Sequence, residues 1–251
     1  MKLVKFIITL VLLWGSQSWG QMLEPIPSGM IYKLEGQVNE LGGQGFGIRI
    51  TTKEPYDCEG PMIRRKLKVK GDRITVNVQG VQISDNCEGR MNFATTYIDL
   101  KDLEPGTYIF SPIVHRHILK AELIVSEKGY LFRSDEDATL VEIPNEALNR
   151  IPEGTIWGTC TFPTELREKA GEFFIDLEEM GAKRVNLVAG NYGEFYVHDG
   201  STRFNEMLEE GIFRASFYYN FTGSFEELRA LVMRYGEGLK IKISDLKGNK
   251  L

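Results

Sequence analysis

Up to about residue 143 apolar and polar positions alternate in short bursts. "GMIYKLEGQV", "FGIRITT", "IRRKLKVK", "RITVNVQGVQI", "TYIDL", "GTYIF", "ILKAELIVS" and "GYLFRS" are rich in β-branched and aromatic residues, with Gly, Asp, Asn or Pro between them. Leu67 and Val69 alternate with Lys66, Lys68 and Lys70, and Ile74, Val76 and Val78 with Arg73, Thr75 and Asn77. Such alternation gives each strand one buried and one wet face, which predicts an antiparallel β-sandwich over residues 30–143.

From Ile143 to Gly154 two prolines and mixed polarity predict a linker at 144–154. Beyond it the period changes. "TIWGTCTF" reads as a strand, followed by a helix with Leu166, Ala170, Phe173, Phe174, Leu177 and Met180 on one face, capped by Thr161 or Thr164 and ended by Gly181. "KRVNLVA" and "GEFYVH" read as strands around a Gly190-Asn191 turn, "STRFNEMLEEG" as a short helix and "FRASFYYNF" as a strand. Ser224 and Glu227 form a capping box before a helix bearing Leu228, Leu231, Val232 and Tyr235, and "LKIKIS" closes the chain as a strand. Two strand-helix-strand units, 155–189 and 213–244, predict a ferredoxin-like (split βαβ) α+β domain over 155–251.

The first twenty residues follow a different pattern. Lys2 and Lys5, an apolar run from Phe6 to Trp14, then Ser18 and Gly20 read as a secretory signal peptide (residues 1–20), with a mature chain starting at Gln21 and a short N-terminal segment over 21–29. No later segment approaches the roughly 18 to 20 apolar residues of a spanning helix, so no transmembrane anchor is expected. Removing two lysines moves the formal charge from −5 to −7. An acidic surface argues against a nucleic-acid partner, since phosphate binding depends on a basic face.

In an exported protein three cysteines suggest one bridge and one leftover thiol. "CEGPM" (Cys58–Met62) recurs as "CEGRM" (Cys87–Met91). A Gly71-Asp72 hairpin turn pairs residues whose numbers sum to 143, such as Leu67 with Val76 and Val69 with Ile74, and sets Cys58 opposite Asp85. A bulge near Gly60 or Gly89 would absorb the remaining offset from Cys87. The Cys58–Cys87 disulfide so predicted closes a loop of about 30 residues, worth roughly 3 to 4 kcal/mol. The rival is a copper-type site of Cys58, Met62, Cys87 and Met91, since soft sulfur ligands select Cu(I), although Met62 and Met91 also fit as core residues that start strands.

Other chemistry is sparse. His115 and His117 would share one side of a strand as a pair of metal ligands. Cys160, ahead of a helix N-terminus, with His198 and Asp199, is the set from which a thiol nucleophile and base could be built. Tyr218, on the opposite face from Phe213, Phe217, Tyr219 and Phe221, is a candidate ligand-stacking residue. Asn220-Phe221-Thr222 matches a glycosylation acceptor. The "GGQGFG" stretch (Gly42–Gly47) precedes a strand where a phosphate loop needs a helix, so it reads as a hairpin connection.

"LKDLEPGTY" (Leu100–Tyr108) resembles the turn-plus-tyrosine of immunoglobulin- and fibronectin-like sandwiches, which implies a Tyr108 hydroxyl bonded to nearby backbone. The resemblance implies architecture and no activity. The reading favoured by these residues is an exported, non-catalytic protein without a cofactor that binds a protein or glycan in the cell envelope or outside. A copper-type metal-handling protein and a thiol-dependent envelope enzyme stand as alternatives.

Overall fold

The computed structural model describes residues 23–26, 28–38, 42–83, 90–100, 103–134, 140–198, 201–203 and 211–251. The expected signal peptide, Cys87, Asp199 and most of the short helix expected before Gly211 lie outside the described residues.

The β-bursts of the first half form strands Leu23–Glu24 (β1), Met30–Val38 (β2), Gln44–Asp57 (β3), Met62–Lys70 (β4), Arg73–Gln82 (β5), Met91–Asp99 (β6), Gly106–Val114 (β7), His117–Ile118 (β8), Ala121–Ser126 (β9) and Gly129–Arg133 (β10). Val141–Glu142 (β11) and Ala147–Asn149 (β12) follow. The second half contributes Thr155–Pro163 (β13), Lys183–Arg184 (β14), Gly190–Asn191 (β15), Tyr196–His198 (β16), Ser201–Arg203 (β17), Ile212–Asn220 (β18) and Lys240–Asp245 (β19), with helices Arg167–Glu179 (α1) and Phe225–Tyr235 (α2).

Among the described residues, fifteen strands join one mixed sheet in the order β11-β2-β3-β6-β4-β5-β7-β9-β10-β12-β15-β16-β17, with β1 beside β5 and β8 beside β7. The sheet curls on itself until β10 and β12 lie against β2. Its concave face buries Tyr32, Phe46, Ile48, Phe110, Leu123 and Phe132. Each is an inward position of its strand, as alternation predicts, whereas Leu67 and Val69, expected on a dry face, are exposed. Two side chains help to close the curl. The Glu146 carboxylate accepts from the Leu34 amide, and Gln44 donates through Nε2 to the Tyr192 carbonyl (3.1 Å) while its Oε1 accepts from Ile151 N (2.8 Å).

The remaining strands form a four-stranded antiparallel sheet in the order β14-β18-β13-β19. Helices α1 and α2 cover one face, where Phe173, Leu177, Leu228 and Leu231 pack on Ile156, Cys160 and Phe217. The expected capping box opens α2: Ser224 Oγ accepts from Glu227 N, and Glu227 Oε2 accepts from Ser224 N at 2.7 Å. At α1 neither Thr161 nor Thr164 caps. The helix is entered through the 3-10 turn Thr164–Leu166, and the Thr164 hydroxyl donates instead to the Gly211 carbonyl at 3.5 Å.

The expected fold class, an N-terminal antiparallel β-sandwich followed by a separate ferredoxin-like α+β domain, is corrected on both counts. The large sheet is mixed: β4 runs parallel to β6, β5 to β7, β11 to β2 and β12 to β15. Alternation reports which face of a strand is wet and is silent on which neighbour it pairs with. The second half forms no separate α+β domain. Strands β15 to β17, drawn from between its two strand-helix-strand units, extend the large sheet, and β12 arises inside the segment expected to be a linker. Tyr192, Phe195 and Val197 from that insertion pack on Trp157, on the face of the four-stranded sheet away from the helices. Trp157 is therefore buried where a two-layer α+β domain would leave it wet.

Candidate functional site

The hairpin β4–β5 follows the expected register from Arg65↔Val78 to Lys70↔Arg73, around a turn in which Gly71 has φ +58°. Between Arg64 and Arg65 the pairing shifts by one residue, because β5 carries Gln79 as an extra, unpaired position. This irregularity lies inside the hairpin, while Gly89, one of the two places where a bulge was expected, lies outside the described residues. A bulge bends its strand and increases the local twist.

Beside this hairpin the sheet is split. Among the described residues β4 and β6 share the single pair Met62↔Thr95 and no further ladder. Arg65 bridges the split, its Nη2 donating to the Tyr97 carbonyl at 2.6 Å, while its Nε is buried without a partner. Burial lowers the pKa of this guanidinium, and burial with the nearby carboxylates of Asp99 and Glu35 pushes the Tyr97 phenol up to about 12 against the opposing pull of Arg49. Beyond Arg65 all five residues from Lys66 to Lys70 are exposed and, among the described residues, laddered on the β5 side only.

This free edge has two chemically distinct faces. Met62, Arg64, Lys66, Lys68 and Lys70 alternate onto the outer face of β4. Leu67 and Val69 lie on the inner face opposite the buried Val76 and Ile74, yet stay 37% and 47% exposed, with no strand over them among the described residues. At the Met62 end the outer face becomes apolar. Leu23 and Met62 flank Gln82 on either side, Met62 abuts Thr95, and Phe93 and Met91 follow on the same face of β6. Met62, Met91 and Phe93 are 54%, 63% and 51% exposed. Met62 and Met91 do start strands, but as surface residues and not core.

The residues singled out for chemistry fall elsewhere. His115 is not a strand residue: it forms with Arg116 the two-residue turn between β7 and β8, both at positive φ (48° and 70°). Its Nε2 lies 2.8 Å from the Ile26 carbonyl, tying down the segment after β1, while His117 pairs with Val114 and is exposed. The two rings therefore do not face one strand side as a ligand pair. Among the described residues no group of three or more His, Cys, Asp or Glu could hold a metal ion.

Cys160 stands in the middle of β13 between Ala215 and Ile241, fully buried in the layer under the helices. Burial pushes its thiol up to about 11, the reverse of what a nucleophile needs. His198 is in β16, whose Val197 packs on the opposite face of that sheet. The structure thus separates Cys160 from His198, and Asp199 lies outside the described residues.

Tyr218 is half-buried and stacks on Phe195 at 6.2 Å, beside Trp157 and Tyr192, so it belongs to the packing between the sheets. The side-chain amide of Asn220 donates to the Glu153 carbonyl at 3.3 Å. Cys58 is buried at the end of β3, where Asn92 Nδ2 donates to its carbonyl at 3.2 Å, and its expected partner Cys87 lies outside the described residues. Of the sulfur set, Cys58 turns inward while Met62 and Met91 turn outward. The Tyr108 hydroxyl donates to the Glu104 carbonyl at 2.8 Å, the bond its local sequence implied.

Strand alternation alone does not mark the β4 edge as a site. A signal was available: Arg64, Arg65, Lys66, Lys68, Lys70 and Arg73 concentrate positive charge in ten residues of a chain with net charge −5. Among the described residues no helix is long and apolar enough to cross a membrane. Comparison with protein-family models, with curated proteins and with solved structures finds no match to this chain.

Proposed function

We propose that this chain is an exported, non-catalytic binding protein that engages a protein or glycan partner of the cell envelope or extracellular space through the outer surface of the β4–β6 region. The observation that carries the reading is the exposed apolar group Leu23, Met62, Met91 and Phe93 running directly into the basic row of β4. A large exposed apolar residue alone means little, but several on one face beside a charged row mark an interaction surface. The thiol-enzyme alternative loses support from the burial of Cys160 and its separation from His198. The metal-handling alternative loses support from the divergence of Cys58 from Met62 and Met91.

Photocrosslinking amino acids placed at Met62 and Phe93 in cells of the source organism test the proposal. Met233, which is exposed on α2, serves as the control position. Adducts from positions 62 and 93 and none from 233 are expected, and their sensitivity to protease separates a protein from a glycan partner. Absence of adducts from both sites, or equal adducts from the control, would overturn the assignment of this surface.

A further inference from the structure

We propose that the exposed edge of β4 takes an extended partner segment of alternating acidic and apolar residues as an added strand. The inference rests on the binding reading above and names the chemistry of the partner. Strand addition needs an unpaired row of backbone N–H and C=O groups, with side-chain rows on each face that select the sequence. Both are present from Lys66 to Lys70, which span about 17 Å at the usual rise per residue.

The register fixes what fits. A strand laid against β4 places alternate side chains beside Lys66, Lys68 and Lys70 on the outer face, and the intervening ones beside Leu67 and Val69 on the inner face. Among the described residues no carboxylate pairs with those three lysines. Acidic residues therefore match the outer row, and opposite charges across a strand pair are favourable. The inner row is the continuation of the core beyond its last covered residues, Val76 and Ile74, so apolar partners remove Leu67 and Val69 from water there.

Lysines on an edge strand also deter unwanted pairing. That protective role accounts for Lys66, Lys68 and Lys70, but it leaves the two exposed apolar residues between them without a purpose. The lysine row further excludes a second copy of this edge, because edge-to-edge pairing would set lysine against lysine. A neutral strand gains nothing from the outer row. The edge thus discriminates by charge while binding through backbone.

The test uses the full mature protein and dye-labelled synthetic peptides of about seven central residues. The probes are alternating Glu and Val, the same composition in two blocks, and the alternating peptide with its central amides N-methylated. Heparin and vesicles containing anionic lipid are titrated in parallel. The alternating peptide is expected to bind at least about tenfold more tightly than the blocked or N-methylated forms. The double variant Lys66→Glu, Lys68→Glu is expected to lose that peptide by a similar factor and to gain a peptide of alternating Lys and Val. Both substitutions are at exposed positions, and an unchanged circular dichroism spectrum confirms the fold.

Equal binding of alternating and blocked peptides, or indifference to N-methylation, would overturn strand addition. So would heparin or anionic vesicles competing as well as the alternating peptide, which would make the lysine row a general polyanion surface. Crosslinks from Met62 and Phe93 together with no peptide discrimination would sink this inference alone. Peptide discrimination without those crosslinks would instead sink the assignment of the surface in cells.

Discussion

Glu146 shows how one side chain closes the curl of the large sheet. Its carboxylate accepts from the backbone amide of Leu34, which among the described residues has no strand partner on that side beyond the short pairing of β11 with Met30 and Ile31. Burial raises its pKa above the ordinary carboxylate value, more than the Leu34 amide and Lys33 lower it. A raised carboxyl pKa means that the folded state holds the proton more tightly than the unfolded chain does. Stability from this group therefore falls as pH rises from the unfolded value, near 4.5, through the folded one. Glu146→Gln keeps an acceptor for Leu34 and should remove that slope, while Glu146→Ala orphans the amide and should cost about 1 to 3 kcal/mol in chemical denaturation. An unchanged pH profile in the Gln variant would show that Glu146 is not the titrating group.

At the scale of elements, the strands and the two helices were legible because burial enforces period on sequence. The Gly71-Asp72 turn, the register of Leu67 with Val76 and the Ser224–Glu227 capping box all rest on contacts within one hairpin or one helix turn, and all are present. The pairing of β4 with β6 and of β12 with β15 joins segments far apart in sequence, and nothing local encodes it. For the same reason Tyr218 read as a surface residue: the side chains that bury it come from residues 187–197 of a different sheet. The β4 edge was half legible. Its charge and alternation stand in the sequence, whereas the end of the β4–β6 ladder at Met62 and Thr95, beyond which Leu67 and Val69 are exposed, is a long-range feature. The cysteines give an element-scale test, since Cys160 is held in the middle of β13 and is the free cysteine among the described residues. Alkylation followed by intact-mass measurement should label no thiol in the native protein, one after denaturation and three after reduction. Three labels without reduction would remove the Cys58–Cys87 bridge, and a label on native Cys160 would contradict its burial.

At the scale of the molecule, the curled sheet has two places where neighbouring strands part. Between β2 and β12 the parting is filled by Glu146, Gln44 and the aromatic insertion that packs against Trp157. Between β4 and β6 it is spanned by Arg65 alone among the described residues, and beyond it the sheet offers an unpaired, basic edge beside exposed Met62, Met91 and Phe93. The open parting is the one proposed as a binding surface. Strand addition requires that edge to be unpaired in the free protein. Residue-resolved amide hydrogen exchange measures it directly, because strand amides directed at a neighbour are protected and those directed at water are not. From Lys66 to Lys70 alternate amides should exchange near unprotected rates, while the others, and those of Ile74 to Val78, exchange slowly. Protection of all five consecutive amides in the free protein would mean that the edge is already covered, and would contradict the account.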